Sequence, residues 1–134
     1  MVTGIHHINF LVRDLEAGVA RYQQLLGTTE VLYGDLAGRE VRTARFKVGD
    51  VWWVLVQPTT TNSVAARHLE AHGEGFFLLS LGVASLDTAL VEASAAGLEF
   101  TSAEPRRGLA DWQVIDLNAE QFFGTQLQLC ESSD

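Results

Sequence analysis

The sequence predicts an α+β fold in which two tandem βαβββ modules form a curved, eight-stranded mixed sheet around one cleft. Two observations lead to this prediction. The predicted elements run strand, helix, three strands, a linking helix, and then strand, helix, three strands again. The apolar pattern also repeats, because "HHINFLVRDLEAGV" from His6 matches "FLLSLGVASLDTAL" from Phe77 with a period of about 71 residues. We therefore expect one domain over residues 1–134, with module one at 1–58, the linking helix at 59–74 and module two at 75–131.

Three segments are predicted to be helical because each begins at a capping side chain and is followed by glycine. Asp, Asn and Ser side chains accept hydrogen bonds from the first free backbone N–H groups of a helix. Glycine readily adopts the left-handed backbone conformation that ends one. The predicted helices are Asp14 to Leu26, Asn62 to His72, with either Asn62 or Ser63 as its cap, and Ser85 to Ala96.

The remaining apolar or alternating runs are predicted to be strands, four in each module. Those of module one are Ile5 to Val12, Glu30 to Gly34, Val41 to Val48 and Val51 to Gln57. Those of module two are Phe76 to Val83, Leu98 to Ser102, Trp112 to Leu117 and Thr125 to Cys130. Successive strand residues face opposite sides of a sheet, so each strand presents one set of side chains to its helix and the other to the cleft.

The large apolar residues of each strand identify the side that faces the helix. In the first strand of module two these are Phe77, Leu79, Leu81 and Val83, and the repeat extends the assignment to the other strands. Trp53 and Leu55 are accordingly predicted to lie in the core. The predicted cleft-facing, ligand-binding residues are Asn9, Leu11, Trp52, Val54, Val56, Phe76, Leu78, Ser80, Trp112, Gln126 and Gln128, with His7 beside them.

Composition limits the class of partner. The formal net charge is −8, which disfavours nucleic acid and anionic membranes because both select basic surfaces. No apolar run approaches the roughly 20 residues of a membrane-spanning helix. Cys130 is the single cysteine, which is typical of a reducing compartment, and the N-terminal residues lack the pattern of a signal peptide. We expect a cytoplasmic protein that binds a small molecule.

Several stretches resemble the vicinal oxygen chelate superfamily, also called the glyoxalase/bleomycin-resistance/dioxygenase superfamily. They are "IHHINFLVRDLEAGVARYQQLLG", the paired βαβββ units and "DLNAEQFFGTQLQLCE", which is similar to the closing strand pair of the family. The stretch "LVQPTTTNSVAARHLEAHGEG" resembles the corresponding segment of methylmalonyl-CoA epimerase-like members. The resemblance covers nearly the whole chain, and it implies assembly as a homodimer.

The resemblance also implies one divalent metal, held by His, Glu or Gln from the first and last strand of each module. The matching positions here are His7, Val54, Leu78 and Gln128. Two of these side chains are hydrocarbon and cannot coordinate a metal. The prediction is therefore a cleft without a bound metal and without another cofactor.

Three residues are candidates for acid/base chemistry. His7 is predicted to face the cleft, and imidazole exchanges protons near neutral pH. The epimerase-like relatives imply a carboxylate base near "GDLAGREVR", where Glu40 is available, and Glu74 of the "GEG" turn lies at the predicted cleft rim. Each of these residues has an alternative, purely structural interpretation.

Other polar groups leave alternatives open. The loop "AEPRRGLADW" contains Arg106 and Arg107, which either bind an anionic group or belong to an ordinary surface loop. His68 and His72 have the spacing of metal ligands on a helix, but no third ligand accompanies them, which favours a solvated helix face.

Two functions follow from the sequence, with a third that the residues disfavour. The first is a metal-independent isomerase, cyclase or lyase that acts on a small hydrophobic or aromatic metabolite. The second is a protein that sequesters a small molecule, such as an antibiotic, in the manner of bleomycin-resistance proteins. The third is a divalent-metal epimerase or dioxygenase.

Overall fold

The computed structural model describes residues 1–28 and 30–133. These residues form three α-helices and eight strands, together with two short 3-10 segments, Ala37–Arg39 and Ala119–Phe122. In chain order the elements are β1 (Val2–Leu11), α1 (Leu15–Leu26), β2 (Leu32–Leu36), β3 (Val41–Val48), β4 (Val51–Pro58), α2 (Val64–His72), β5 (Gly75–Val83), α3 (Leu86–Ala95), β6 (Arg106–Arg107), β7 (Gln113–Asp116) and β8 (Leu127–Glu131). Among the described residues, no helix is long and apolar enough to cross a membrane.

The three helices begin where the capping side chains predicted. The Asp14 carboxylate accepts a hydrogen bond from the Ala17 N–H, and Ser63 and Ser85 cap α2 and α3 in the same manner. Gly27 ends α1 in the left-handed region with φ of 68°, a conformation that costs glycine little. Local sequence chemistry thus determines both ends of α1.

The strand pairing confirms the predicted α+β class and the duplicated βαβββ topology. In the first repeat β1 lies parallel to β4, and β3 is antiparallel to both β2 and β4. In the second repeat β5 lies parallel to β8, and β7 is antiparallel to both β6 and β8. Hydrogen-bonded neighbours follow the order β2-β3-β4-β1-β5-β8-β7-β6 in a mixed eight-stranded sheet. The enclosed cleft stays a prediction.

The chain divides into two compact units. One comprises His7–Phe77 and is called the His7–Phe77 unit below. The other, called the Leu78–Asp134 unit, comprises Leu78–Asp134 together with Met1–His6. The first residues of the chain belong to the latter because Thr3 Oγ1 donates to the Gly82 carbonyl over 3.1 Å and His6 packs against Trp112. The boundaries of the predicted modules therefore differ from those of the compact units.

In the His7–Phe77 unit, one face of the strands packs against α1. The buried cluster there consists of Leu15, Val19, Ala44, Phe46 and Leu55, with partly buried Phe10 and Trp53 packed against it. The stacked rings of Phe10 and Trp53 have centroids 4.4 Å apart. The predicted core positions of Trp53 and Leu55 are thereby confirmed.

In the Leu78–Asp134 unit, α3 packs on the equivalent face. The cluster consists of Val83, Leu86, Ala89, Ile115, Leu117 and Leu129, with Leu81 and Leu127 packed against it. The alternation predicted for β5 and β8 is confirmed at these positions, and the other face of the two strands carries both apolar and polar side chains, among them Leu78, Ser80 and Gln128.

The predicted strand Leu98 to Ser102 is wrong. Only Phe100 forms a bridge there, to Leu117, and residues 101–104 form a bend. The strand that pairs with β7 is instead the short β6, in which Arg106 lies opposite Val114. Glu99 and Thr101 hydrogen-bond through loop contacts instead of a continuous ladder.

Candidate functional site

Strand register in the His7–Phe77 unit brings the predicted polar and apolar site residues onto one face. His7 lies opposite Trp52, Asn9 opposite Val54 and Leu11 opposite Val56. Residues paired in this way project to the same side of a sheet. That side is opposite to the side that packs on α1, because Trp53 and Leu55 alternate with these residues along β4.

β3 adds three residues to this face that the sequence analysis missed. Thr43, Arg45 and Lys47 lie opposite Val56, Val54 and Trp52, respectively. We call the resulting set the His7 face. It consists of His7, Asn9, Leu11, Thr43, Arg45, Lys47, Trp52, Val54 and Val56.

The His7 face contains a buried apolar part and a more accessible polar part. Val54 is 1% exposed, Leu11 is fully buried and His7 is 3% exposed. Asn9, Arg45 and Trp52 are half-buried, and Lys47 is exposed. The Oδ1 atom of Asn9 is buried and accepts no hydrogen bond from any residue in the described part of the chain. A buried acceptor of this kind favours a hydrogen bond from a ligand.

Two cationic side chains of β3 lie over the ring of Trp52. The Arg45 Cζ atom is 5.1 Å from the centroid of the Trp52 ring, and the Lys47 Nζ atom is 4.7 Å from it. Both distances are within the range of favourable cation–π contacts. Trp52 was predicted as an apolar wall of the cleft. In the structure its indole ring also makes cation–π contacts with two positively charged side chains.

In the Leu78–Asp134 unit, the predicted site residues Ser80 and Gln128 bond to each other. The Ser80 hydroxyl donates to Gln128 Oε1 over 2.8 Å. Gln128 Nε2 donates to Asp116 Oδ1 over 3.0 Å, and Arg106 NH1 donates to Asp116 Oδ2 over 2.7 Å. Ser80 is fully buried and Gln128 is 3% exposed. This four-residue chain, called the Ser80–Arg106 network below, satisfies the buried amide and fixes its orientation.

Two further predicted residues of this unit are buried. Leu78 is 8% exposed and Trp112 is 2% exposed. The Trp112 ring makes an edge contact with His6, with ring centroids 4.7 Å apart. Both side chains are therefore part of the buried interior of this unit.

Two predicted ligand-binding residues occupy other environments. Phe76 is 50% exposed, and its ring packs edge-on against Phe10, a member of the cluster next to α1. Phe76 therefore lies apart from the His7 face. Gln126 is exposed and precedes β8, where its carbonyl accepts from the Leu79 N–H over 3.0 Å. The predicted strand began too early, so the inward position expected for Gln126 is wrong.

The two candidate carboxylate bases are both exposed. Glu40 has φ of 58° and follows the 3-10 segment Ala37–Arg39, outside the strands. Glu74 accepts a hydrogen bond from the Arg13 N–H over 3.0 Å, and its carboxylate is 4.0 Å from Arg13 Nε. Neither residue belongs to the His7 face, so their roles as bases stay predictions without geometric support.

The arginines of the "AEPRRGLADW" loop already have partners. Arg106 pairs with Asp116, and Arg107 donates from Nε and NH2 to the Ala110 carbonyl over 3.2 and 3.0 Å. These contacts favour the interpretation of a structured surface loop over that of an anion-binding loop.

The histidine pair of α2 forms a ring contact. His68 and His72 have centroids 4.4 Å apart, and His68 also packs on Phe77 at 4.7 Å. Burial lowers the pKa of His68, and the charge of His72 lowers it further. His68 therefore stays neutral over a wider pH range than an exposed histidine.

The four positions that the resemblance relates to a metal can be compared with this geometry. Val54 and Leu78 are buried hydrocarbon side chains and offer no ligand atom. The oxygen of Gln128 already accepts from Ser80. The His7 imidazole and the Gln128 amide remain, and these two groups are fewer than the three or four N, O or S ligands of a stable divalent metal site. The residues present at these positions do not fit the metal.

The two βαβββ units, each with a helix packed on one strand face, define the class as an α+β protein of paired βαβββ architecture. Within that class the chain belongs to the Glyoxalase/Bleomycin resistance protein/Dioxygenase superfamily, whose family model matches residues 6–115. It is also 23% identical to the uncharacterized protein YqjC of Bacillus subtilis, over 95% of this chain and 91% of that protein.

Solved structures of methylmalonyl-CoA epimerases are similar over almost the full length. A variant of the Streptomyces coelicolor enzyme in complex with 2-nitronate-propionyl-CoA is 26% identical, covers 99% of this chain and 96% of its own, and has a TM-score of 0.93. The Mycobacterium tuberculosis enzyme is 25% identical, with coverage of 99% and 90% and the same TM-score of 0.93. An epimerase in complex with methylmalonyl-CoA and NH4+ is 27% identical, with coverage of 99% and 96% and a TM-score of 0.93.

Proposed function

We propose that this protein binds a small organic molecule with an apolar or aromatic body, and that it does so without the divalent metal implied by the resemblance. The observation that carries the proposal is the pair of buried hydrocarbon side chains, Val54 and Leu78, at two of the four metal positions. The similarity to epimerases that bind CoA esters supports a small-molecule ligand. A homodimer in the cytoplasm stays the expected setting.

The His7 face supplies the contacts that the proposal requires. Val54, Val56 and Leu11 are buried apolar surface, and Trp52 adds a half-buried aromatic ring. Asn9 supplies a buried acceptor that has no donor among the described residues. Pockets that bind organic ligands combine apolar surface with a few oriented polar groups in this way.

The metal-free part of the proposal is tested by elemental analysis combined with a binding measurement. The purified protein is stripped with EDTA and dialysed against Zn²⁺, Co²⁺, Ni²⁺ or Mn²⁺. We expect metal contents far below one ion per chain, and an affinity for methylmalonyl-CoA that is the same with EDTA as with added metal. The reason is that the four positions implied by the resemblance offer only the His7 imidazole and the engaged Gln128 amide, which are too few ligands.

A variant that lacks the α2 histidines, His68→Gln with His72→Gln, is the matched control for adventitious metal. Metal that is lost in this control belongs to the helix pair and has no bearing on the proposal. One ion per chain that persists in the control contradicts the proposal, as does binding of the probe only when metal is added.

A second proposal is that the site catalyses a metal-independent isomerisation with His7 as acid/base. It is supported by the epimerase neighbours and by the place of His7 beside Trp52 on the His7 face. We expect His7→Gln to slow exchange of the C2 proton of methylmalonyl-CoA with D2O by about 100-fold or more, with affinity changed less than about threefold. Proton NMR measures the exchange, and calorimetry measures the affinity.

His72→Gln is the control for this test, because His72 is an exposed histidine outside the His7 face. Equal exchange rates in the wild type and His7→Gln would contradict a catalytic role for His7. Binding of the probe with no exchange by the wild type favours the sequestering protein instead. In that case Trp52→Ala is expected to weaken binding while the ligand is recovered unchanged.

A further inference from the structure

The His7 face has an unusual charge for this chain. The sequence contains 17 acidic and 9 basic residues, excluding histidine. The nine residues of the His7 face nevertheless include two cations, Arg45 and Lys47, and no Asp or Glu. Arg42, on the same strand, points to the other side and pairs with Glu16 at 3.0 Å. The His7 face is thus the side of these strands on which two cations lie close together.

Two rows of paired residues cross the face. One row runs His7, Trp52, Lys47 across β1, β4 and β3, and the next runs Asn9, Val54, Arg45. Neighbouring strands are about 4.8 Å apart, so the ends of each row are roughly 10 Å apart. That span matches a small organic molecule that contacts the cations at one end and the Asn9 acceptor at the other.

The two cations converge on one ring. Lys47 Nζ and Arg45 Cζ lie 4.7 and 5.1 Å from the centroid of Trp52. The ring quadrupole attracts each cation, but two like charges held around one indole repel each other. An anion bound beside the ring would reduce that repulsion and form charge-assisted hydrogen bonds with both side chains.

We propose that Lys47 and Arg45 recognise an anionic oxygen group of the ligand, while Asn9 Oδ1 accepts a hydrogen bond from a hydroxyl or amide of the same molecule. The ligand is then an organic anion with a hydrogen-bond donor, whose apolar part lies along Trp52 and Val54. This inference rests on the proposed function, since it specifies the class of molecule that the proposed site binds.

The test compares charged and neutral probes on matched variants of the full chain. Benzoate and benzamide differ in charge at nearly constant shape, and methylmalonyl-CoA and propionyl-CoA differ in the acyl carboxylate. Affinities are measured by calorimetry or tryptophan fluorescence for the wild type, Lys47→Gln, Arg45→Gln and Arg42→Gln. Arg42→Gln is the matched control because it removes one positive charge from the same strand on the opposite face.

We expect the wild type to bind benzoate more tightly than benzamide. Lys47→Gln should weaken benzoate binding by about threefold, as for an exposed charge, and Arg45→Gln by about tenfold because it is half-buried. Benzamide binding should not change, and Arg42→Gln should match the wild type. Added salt should reduce the difference between Lys47→Gln and the wild type. Because Lys47 is exposed, we expect Lys47→Gln to fold normally. This variant therefore tests the inference even if Arg45→Gln folds poorly.

The CoA esters identify the source of the anionic group. Loss of affinity in Lys47→Gln for methylmalonyl-CoA alone indicates an acyl carboxylate, and equal loss for propionyl-CoA indicates a phosphate. Equal affinities for benzoate and benzamide, or the same benzoate affinity in Lys47→Gln as in Arg42→Gln, would overturn the inference while the proposed function stands. Failure of the wild type to bind any of the four probes overturns both.

Discussion

Replacing Phe46 with alanine is expected to lower the free energy of unfolding by about 3–5 kcal/mol, the range for large-to-small changes at buried aromatic positions. Phe46 is fully buried at the centre of the cluster that joins α1 to β3 and β4. Truncation removes apolar contacts and leaves a cavity next to Leu15 and Leu55. Urea or guanidinium unfolding, followed by tryptophan fluorescence, measures the change.

Phe123→Ala is the matched control, since the same side chain is removed where it is 100% exposed. We expect a change within about 0.5 kcal/mol, as for surface substitutions generally. Similar losses in the two variants would show that Phe46 is not part of the core. Phe46 lies between Arg45 and Lys47 in β3, so the alternation that buries its ring also places both cations on the His7 face.

The elements that the sequence predicted best are those with a strong local signal. α1, α2 and α3 begin next to Asp14, Ser63 and Ser85, whose side chains can satisfy free N–H groups without any tertiary contact. β3 was predicted with its observed boundaries, Val41–Val48. The repeat determined which side of β4 faces the core, a question that its continuous apolar run could not answer by alternation.

The segment after α3 shows where local signals fail. Leu98 and Phe100 alternate as in a strand, but the backbone around them pairs through a single bridge to Leu117. The edge position is taken by Arg106–Arg107, which has no apolar pattern and pairs with β7 next to the ion pair between Arg106 and Asp116. Strand propensity depends on the neighbouring strand, and a tertiary ion pair is invisible in a local window.

The sequence predicted on which side of the sheet the candidate site residues lie, but it did not predict the hydrogen bonds between their side chains. Alternation placed His7 and Asn9 on one side of β1, and the repeat placed Trp52 on the corresponding side of β4. Arg45 and Lys47 were missed because β3 carries charge on both sides, with Arg42 facing α1. The Ser80–Gln128 bond joins residues 48 positions apart, so only the pairing of β5 with β8 reveals it.

These bonds also change the interpretation of Gln128. At the sequence level it is a weak metal ligand at a family metal position. In the structure both functional groups of its amide are engaged, the oxygen with Ser80 and the nitrogen with Asp116. A side chain held from both ends is preorganised to support a binding site, and rotating it toward a metal would break two buried hydrogen bonds.

Asp116→Ala is therefore expected to lower the free energy of unfolding by about 2–4 kcal/mol. The substitution removes the acceptor of both Gln128 Nε2 and Arg106 NH1, which lie 3.0 and 2.7 Å from the carboxylate oxygens. It leaves a nearly buried amide nitrogen without its partner and a half-buried guanidinium without its counter-charge. Chemical denaturation measures the loss, and the Arg106→Ala, Asp116→Ala double mutant separates the ion pair from the amide bond.

Glu16→Ala is the control, because its carboxylate also pairs with an arginine, Arg42 at 3.0 Å, but is 64% exposed. An exposed pair contributes about 0–1 kcal/mol, so this variant should unfold close to the wild type. If Asp116→Ala were no more destabilising than Glu16→Ala, the Ser80–Arg106 network would not be held by its carboxylate. If the predicted difference is observed, the buried Gln128 amide owes its orientation to the Asp116 carboxylate.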